Sequence, residues 1–161
     1  MKYPCKGHVY GLSTRKGIAI LQLAEEPETP TSLQLTRVCD GFLNKSFNDE
    51  DISRIVRKKE LFFLDTPLRI IKSGSKLYKQ FFAFDKPFSL PDGICLPQEQ
   101  RGFTVLNDGT VKWYKKHRGS NYREFVTELT PDFLCLSPDN CWSLPDLREF
   151  LESGKSISEY I

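Results

Sequence analysis

The chain has 161 residues, 39% of them hydrophobic and 27% charged, with a formal net charge of +2 at pH 7. A chain of this kind can bury a core as one domain without disulfides or metals. It lacks the basic excess of a protein that depends on phosphate contacts. No window approaches the roughly 20 apolar residues of a membrane span, and MKYPCKGHVYGL contains no signal-peptide core. We predict one cytoplasmic domain over 1–161, with its core over about 6–154 and no membrane contact.

The first predicted elements are strands. Residues 8–12 and 18–23 are apolar and flank Ser13–Gly17, which predicts a β-hairpin with glycine supplying the positive φ of the turn. Residues 24–32 contain two prolines and three glutamates and predict an exposed loop. The alternation in residues 33–39 (LQLTRVC) predicts a third strand.

A short helix is predicted next. Asn48 is a typical N-cap, the acidic residues 49–51 suit the positive end of the helix dipole, and the basic residues 57–59 suit the other end. The apolar residues at helical spacing, which predict one buried stripe, are Ile52, Ile55 and Val56. A helix this short needs tertiary support.

The middle of the chain predicts two buried strands. Residues 61–64 (LFFL) form a short apolar run, and Pro67 begins a brief turn or helical segment through residue 71. Residues 77–84 place aromatic rings on both strand parities, which predicts a strand covered on both faces. Three prolines and a glycine over 87–97 indicate an irregular connection.

A second hairpin is predicted from residues 103–106 and 110–114, which bracket Asn107-Asp108-Gly109. Residues 124–129 predict another strand. Strands outnumber helices, and most successive strands are joined by short connections, which favours antiparallel pairing. The predicted fold class is α+β, mostly β: a bent antiparallel sheet or partly open barrel with two short helices packed on it.

The second of these helices begins near residue 143. Ser143 is a typical N-cap with Asp146 three residues later, and Gly154 is a typical helix end. Its predicted core stripe is Leu144, Leu147, Phe150 and Leu151. We expect the tail, residues 155–161, to be frayed.

No residue pattern predicts catalysis, a cofactor or a metal site. The five cysteines are scattered and odd in number, which indicates free thiols in a reducing compartment. Cys135 and Cys141 could pair or share a metal, although no nearby histidine supports this. His117 lies among basic residues with no nearby carboxylate to orient it, and His8 begins the first strand. We predict a protein that is not an enzyme; the rival is an enzyme whose site is assembled from dispersed residues.

Charge is unevenly distributed near the C-terminus. Residues 124–152 contain seven acidic residues and one arginine, whereas 111–123 contain five basic residues and no acid. The basic segment is interleaved with aromatic rings, a pattern that suits stacked bases and phosphates, so a nucleic-acid-binding β module is the alternative function. The candidate residues for that alternative are Lys112, Trp113, Lys115, Lys116, Arg118 and Tyr122.

The order of several segments resembles that of a family of small bacterial proteins. The matching segments are KGHVYGLSTRKGIAILQL, LQLTRVCDGFLN, VRKKELFFLDTPLRII, VKWY with FVTELTP, and SLPDLREFLESG. The family consists of mostly-β immunity proteins of polymorphic-toxin systems, including contact-dependent growth inhibition. The resemblance covers about residues 6–154 and depends chiefly on hydrophobic and turn positions.

The resemblance implies an antitoxin that binds a cognate protein toxin, often a cationic nuclease, without catalysis of its own. An acidic face would speed association with such a toxin, although the net charge of +2 departs from the acidic balance of a nuclease inhibitor. The family supplies no binding motif, so the candidate toxin-binding residues come from residues 124–152, which we call the acidic block, and from the aromatic residues within it. They are Asp132, Phe133, Asp139, Trp142, Asp146, Glu149 and Glu152. The competing interpretation is that Asp146 and Glu149 support the last helix and that Trp142 and Phe133 fill the core.

Overall fold

The computed structural model describes residues 5–25, 33–66, 81–139 and 142–160. The strands of the first sheet are β1 (His8–Thr14), β2 (Gly17–Leu23), β3 (Gln34–Leu43), β4 (Glu60–Thr66) and β5 (Phe81–Pro87). They are antiparallel in the order β4-β3-β2-β1-β5. The second sheet contains β6 (Glu99–Val105), β7 (Val111–His117), β8 (Glu124–Phe125) and β9 (Ser137–Pro138). Its order is β8-β7-β6-β9, with β9 parallel to β6.

The helices are α1 (Asp49–Val56), α2 (Pro131–Leu134) and α3 (Leu144–Ser153), and a 3-10 helix covers Ile157–Glu159. The predicted α+β, mostly-β class is confirmed, with the strands divided between two sheets. Both predicted hairpins are present, with Thr14 paired to Gly17 and Val105 to Val111. The predicted strand over 124–129 forms a ladder only at its first two residues, because the chain then turns into α2.

Each face of the first sheet is covered by one helix. Along β1, Tyr10 and Leu12 pack in the cluster that contains α3, whereas Val9 packs in the cluster that contains α1. This division follows the alternation of side chains along a strand. The sheet is therefore buried on both sides, which explains the nearly continuous apolar sequence of β2.

Both main helices begin and end as the sequence predicts. Asn48 and Asp51 form a capping box at the start of α1, and Ser143 accepts a hydrogen bond from the amide of Asp146 at the start of α3. Gly154 ends α3 with a φ of +72°. These capping signals involve residues close together in the sequence, so they can be recognised without knowledge of the tertiary fold.

A buried arginine joins α1 to the first sheet. The side chain of Arg37 is 0% exposed. Its Nη1 donates to Gln22 Oε1 at 2.5 Å and to the carbonyl of Val56 at 3.2 Å, and its Nη2 donates to the carbonyl of Lys58 at 2.9 Å. Glu60 supplies the carboxylate, 3.4 Å from Nη2. The guanidinium thereby satisfies carbonyls at the C-terminal end of α1.

The second sheet meets the first at β9. Ser137 Oγ accepts a hydrogen bond from the amide of Phe63 at 3.2 Å, and Gln100 Nε2 donates to Asp65 Oδ2 at 3.2 Å. Gln100 also pairs with Ser137 in the parallel ladder. These contacts fix β6, and with it the rest of the second sheet, against β4.

The tail is ordered against the core, which corrects the expectation that it is frayed. Arg101 Nη2 donates to the carbonyls of Ile157 and Tyr160 at 2.7 and 2.8 Å. The Tyr160 ring lies 4.5 Å from the Trp142 ring, centroid to centroid. A buried arginine and an aromatic contact hold the segment, and both Arg101 and Trp142 lie outside the tail's own sequence.

Some predicted features lie outside the described residues. These are the turn at 67–71, residues 77–80 of the predicted strand, and residues 26–32 of the predicted loop. Among the helices of the described ranges, none combines the length and apolar character needed to cross a bilayer.

Candidate partner-binding groove

An open groove of about 430 Å³ lies on one face of the second sheet. Strands β6, β7 and β8 provide one part of its lining, and the segment that leads into α2 provides the rest. Its lining residues are Glu99, Lys115, Glu124, Phe125, Val126, Thr127, Glu128, Thr130, Asp132, Phe133 and Leu136. We call this feature the acidic groove.

Strand alternation and one short helix build the acidic groove. Trp113 and Lys115 lie two residues apart on β7, so they project from the same face of the sheet. The Trp113 ring lies 5.3 Å from the Phe103 ring and 6.2 Å from the Phe133 ring. Thr130 caps α2 by accepting a hydrogen bond from the Phe133 amide at 3.3 Å. Phe133 is thereby fixed over the sheet and anchors α2 beside the groove.

The groove carries four carboxylates and one lysine. Lys115 Nζ lies 3.7 Å from both Glu99 Oε1 and Glu124 Oε2. Within the described ranges, Glu128 and Asp132 form no ion pair, and both are exposed. The groove therefore has a net negative charge despite the net positive charge of the chain.

Asp139 lies elsewhere and is already satisfied within the protein. Its carboxylate is 9% exposed and lies 2.6 Å from Lys116 Nζ, and it accepts a hydrogen bond from the Tyr114 hydroxyl at 2.8 Å. Burial, with help from Asp139, raises the pKa of Tyr114 to about 12. The Tyr114 ring lies across Gly102, where even a Cβ atom would come within 2.5 Å of the hydroxyl oxygen. Asp139 therefore joins β7 to the end of β9, a structural role for a residue that the sequence places among the candidate partner contacts.

Glu152 also has a structural role. Its side chain is 7% exposed. It accepts hydrogen bonds from the Arg15 amide at 2.8 Å, from Arg15 Nε at 2.9 Å and from Arg148 Nε at 3.2 Å. The backbone hydrogen bond from Arg15 is the main cause that holds the pKa of Glu152 below its usual range. Glu152 therefore ties the first hairpin to α3 and does not present a free charge to a partner.

The two aromatic residues predicted to contact a partner are both buried. Trp142 is 5% exposed and packs against Phe62, Phe150 and Tyr160, so it is a core residue and not a surface anchor. Phe133 is also buried and contributes to the groove lining only from beneath.

Among the other predicted acids, Asp146 accepts a hydrogen bond from Ser143 Oγ at 2.5 Å. Glu149 is exposed on α3, away from the groove lining. The groove thus retains Asp132 and Phe133 from the predicted set and leaves out the other five residues.

The basic segment does not form an open cationic strip. Lys115 and Lys116 are paired with carboxylates as described above, and Arg118 forms a two-fold ion pair with Glu25. Trp113 is packed between two rings. Tyr122 is 75% exposed and Lys112 Nζ lies 5.9 Å from the Phe125 ring. Pairing within the protein reduces the charge available to phosphate groups.

The thiols and histidines form no reactive constellation in the described ranges. Burial raises the pKa of the Cys39 thiol to about 12, so this thiol stays protonated. His8 Nδ1 accepts a hydrogen bond from the Cys5 amide at 3.1 Å, and His117 is exposed. No group of three or more metal-ligating side chains is found among the described residues. Cys141, which the sequence offers as an alternative partner of Cys135 without supporting spacing, lies outside them.

Sequence reasoning missed Glu99, Glu124 and Glu128. Glu124 and Glu128 belong to the acidic block over 124–152, but the sequence predicts a strand there. Glu99 precedes the predicted strand 103–106, whereas β6 begins at Glu99. The alternation of Glu99, Arg101 and Phe103 would have extended that strand backwards and placed Glu99 on the face of Phe103.

Comparisons with protein-family models, with curated proteins and with solved structures found no match. The arrangement of side chains on the second sheet is therefore the basis for a functional proposal. The resemblance to immunity proteins enters that proposal as a hypothesis.

Proposed function

We propose that this chain is an immunity protein, which binds a protein toxin and neutralises it without chemistry of its own. The observation that carries the proposal is the acidic groove, in which Glu128 and Asp132 have no basic partner among the described residues. A cationic segment of a toxin would supply the missing charge. We place this interaction in the bacterial cytoplasm, where a nuclease toxin would meet its substrate.

Charge in the acidic groove would act mainly on the rate of association. Exposed carboxylates steer a cationic partner, and this effect weakens as salt screens the charges. The apolar groups that line the groove, Val126 and Leu136, would add contact area once the partner is seated. Because the carboxylates lie within one groove, a chain of overall charge +2 can still attract a cation.

The test measures survival of bacteria that express a candidate toxin: the C-terminal domain of a large protein encoded beside this chain. Co-expression of the wild-type chain should restore growth. The double variant Glu128→Lys/Asp132→Lys should slow association with the purified toxin by at least about tenfold at low salt, because attraction becomes repulsion.

The matched control is Asp40→Lys/Asp92→Lys, which changes the net charge by the same amount at exposed positions outside the groove. It should associate at nearly the wild-type rate. If both double variants slowed association equally, the rate would depend on the net charge of the chain and not on the groove. If the groove variant did not slow association, the groove would not be part of the interface. Salt-sensitive retention on single-stranded RNA, lost on Lys112→Ala/Tyr122→Ala, would favour the nucleic-acid alternative.

A further inference from the structure

Strand β8 is an open edge beside the acidic groove. It is the terminal strand of the second sheet, and it pairs on its inner side with β7 through Tyr114 opposite Phe125 and Lys115 opposite Glu124. The Val126 amide donates to the Trp113 carbonyl at 3.0 Å. In an antiparallel ladder, hydrogen-bonded pairs alternate with pairs that form no hydrogen bonds to each other. Because Val126 bonds to Trp113, the adjacent pair of Phe125 and Tyr114 is of the second kind, and the backbone groups of Phe125 point away from β7. The N–H and C=O of Phe125 therefore face outward, and no described strand pairs with them.

The two faces of this edge differ in chemistry. Glu124 projects with Lys115 into the acidic groove. Phe125 projects to the opposite face, where its ring lies 6.2 Å from the Tyr114 ring and 5.9 Å from Lys112 Nζ. Its side chain is 55% exposed. A strand added at this edge would meet carboxylates on one face and an exposed aromatic ring on the other.

We infer that the edge of β8 receives an extended segment of the partner, in which basic side chains alternate with apolar ones. This inference rests on the proposed function and specifies how the toxin would be held. Successive side chains of a strand point to opposite faces, so the basic residues would reach Glu124, Glu128 and Asp132 while the apolar residues pack beside Phe125. Backbone hydrogen bonds to Phe125 would fix the register.

A second copy of this chain fits the edge less well. Antiparallel pairing of two β8 strands about Phe125 would place the two Glu124 side chains on the same face, two residues apart, and bring the two acidic grooves together. Like charges that close destabilise a sheet. A cationic segment reverses the sign of every one of these interactions.

The probe is a short capped peptide in which lysine alternates with valine, followed by amide chemical shifts of the full chain. Saturable shifts are expected at residues 123–128 and at β7. Phe125→Pro removes the outward N–H without removing a hydrogen bond to β7, a substitution that edge strands tolerate. It should weaken peptide binding about fivefold, because one hydrogen bond is lost.

Phe125→Val is the matched control, since it also loses the ring but keeps the N–H, and it should bind more tightly than the proline variant. A second peptide, N-methylated on alternate residues, keeps every charge and cannot form the ladder, so it should bind the wild-type chain at least about tenfold more weakly. Equal binding of the two peptides would overturn the strand inference and leave a charge interaction alone.

These results separate from the test of function. If the wild-type chain protects cells from the toxin while the two peptides bind alike, the strand inference fails and the proposed function stands. If the wild-type chain gives no protection, the proposed function fails whatever the peptides do. Self-association of the chain through β8, abolished by Phe125→Pro, would overturn the choice of a cationic occupant.

Discussion

Single buried charges hold the parts of this molecule together. Arg37 joins β3 to the end of α1, Arg101 joins β6 to the tail, and Glu152 joins the first hairpin to α3. Charged side chains are rarely buried unless they are paired, and each of these three makes several polar contacts. The sequence alone does not show that these three charged residues form contacts inside the protein and are withheld from its surface.

Replacement of Arg37 by methionine should destabilise the fold by about 3 kcal/mol, because it leaves Glu60 and two carbonyls without their donor. The measurement is urea unfolding at neutral pH. Arg54→Met is the control, since the Arg54 side chain is 68% exposed and its ion pair with Asp51 lies on the surface. A loss for Arg37→Met no larger than that of the control would contradict the role of the buried guanidinium.

Glu152 predicts a particular pH dependence of stability. Its folded-state pKa is lowered, so its contribution is complete above the unfolded pKa of about 4.3 and disappears as pH falls through the lower folded value. Glu152→Gln should therefore lower the free energy of unfolding at pH 7, and the difference from wild type should shrink as the solution is acidified below pH 4.

The control for this effect is Glu149→Gln, on the exposed side of the same helix, where no ion pair is formed within the described ranges. Its unfolding curve should follow that of the wild type at each pH. A difference between Glu152→Gln and wild type that stayed constant with pH would mean that packing, not charge, carries the contribution of Glu152.

At the scale of elements, α1 and α3 could be predicted almost completely. Their caps and apolar stripes lie within a few residues of one another, so local chemistry is sufficient. The acidic groove could not be predicted in this way. It needs Glu99 of β6, Lys115 of β7 and Glu124 of β8 side by side, and strand register sets that arrangement.

The conformation of the tail also depends on residues that are distant in the sequence. Residues 155–161 follow the helix-ending Gly154 and are predicted to fray, but Ile157 and Tyr160 are held by Arg101 on β6. Arg101→Met should increase hydrogen exchange of the Tyr160 amide, which donates to the Ile157 carbonyl, by about tenfold. The Leu147 amide inside α3 should keep its protection. Unchanged exchange at Tyr160 would show that the aromatic contact with Trp142 is sufficient to hold the tail.

For the whole molecule, the distribution of charge matters more than its sum. The acidic block of 124–152 divides in the structure: Asp139, Asp146 and Glu152 are used internally, whereas Glu124, Glu128 and Asp132 gather at one groove. The basic segment before it is largely neutralised by ion pairs. Within the described ranges, this acidic surface on a nearly neutral chain supports the proposal of a cationic protein partner.

The most direct test of this account is hydrogen–deuterium exchange of the full chain, alone and with the toxin domain that we propose it neutralises. We predict that the toxin slows exchange over 123–136, which spans β8 and the groove wall, and leaves the amides of α1 and α3 unchanged. Slower exchange confined to α3, or unchanged exchange over 123–136 in a complex that forms, would contradict the assignment of the acidic groove as the binding surface.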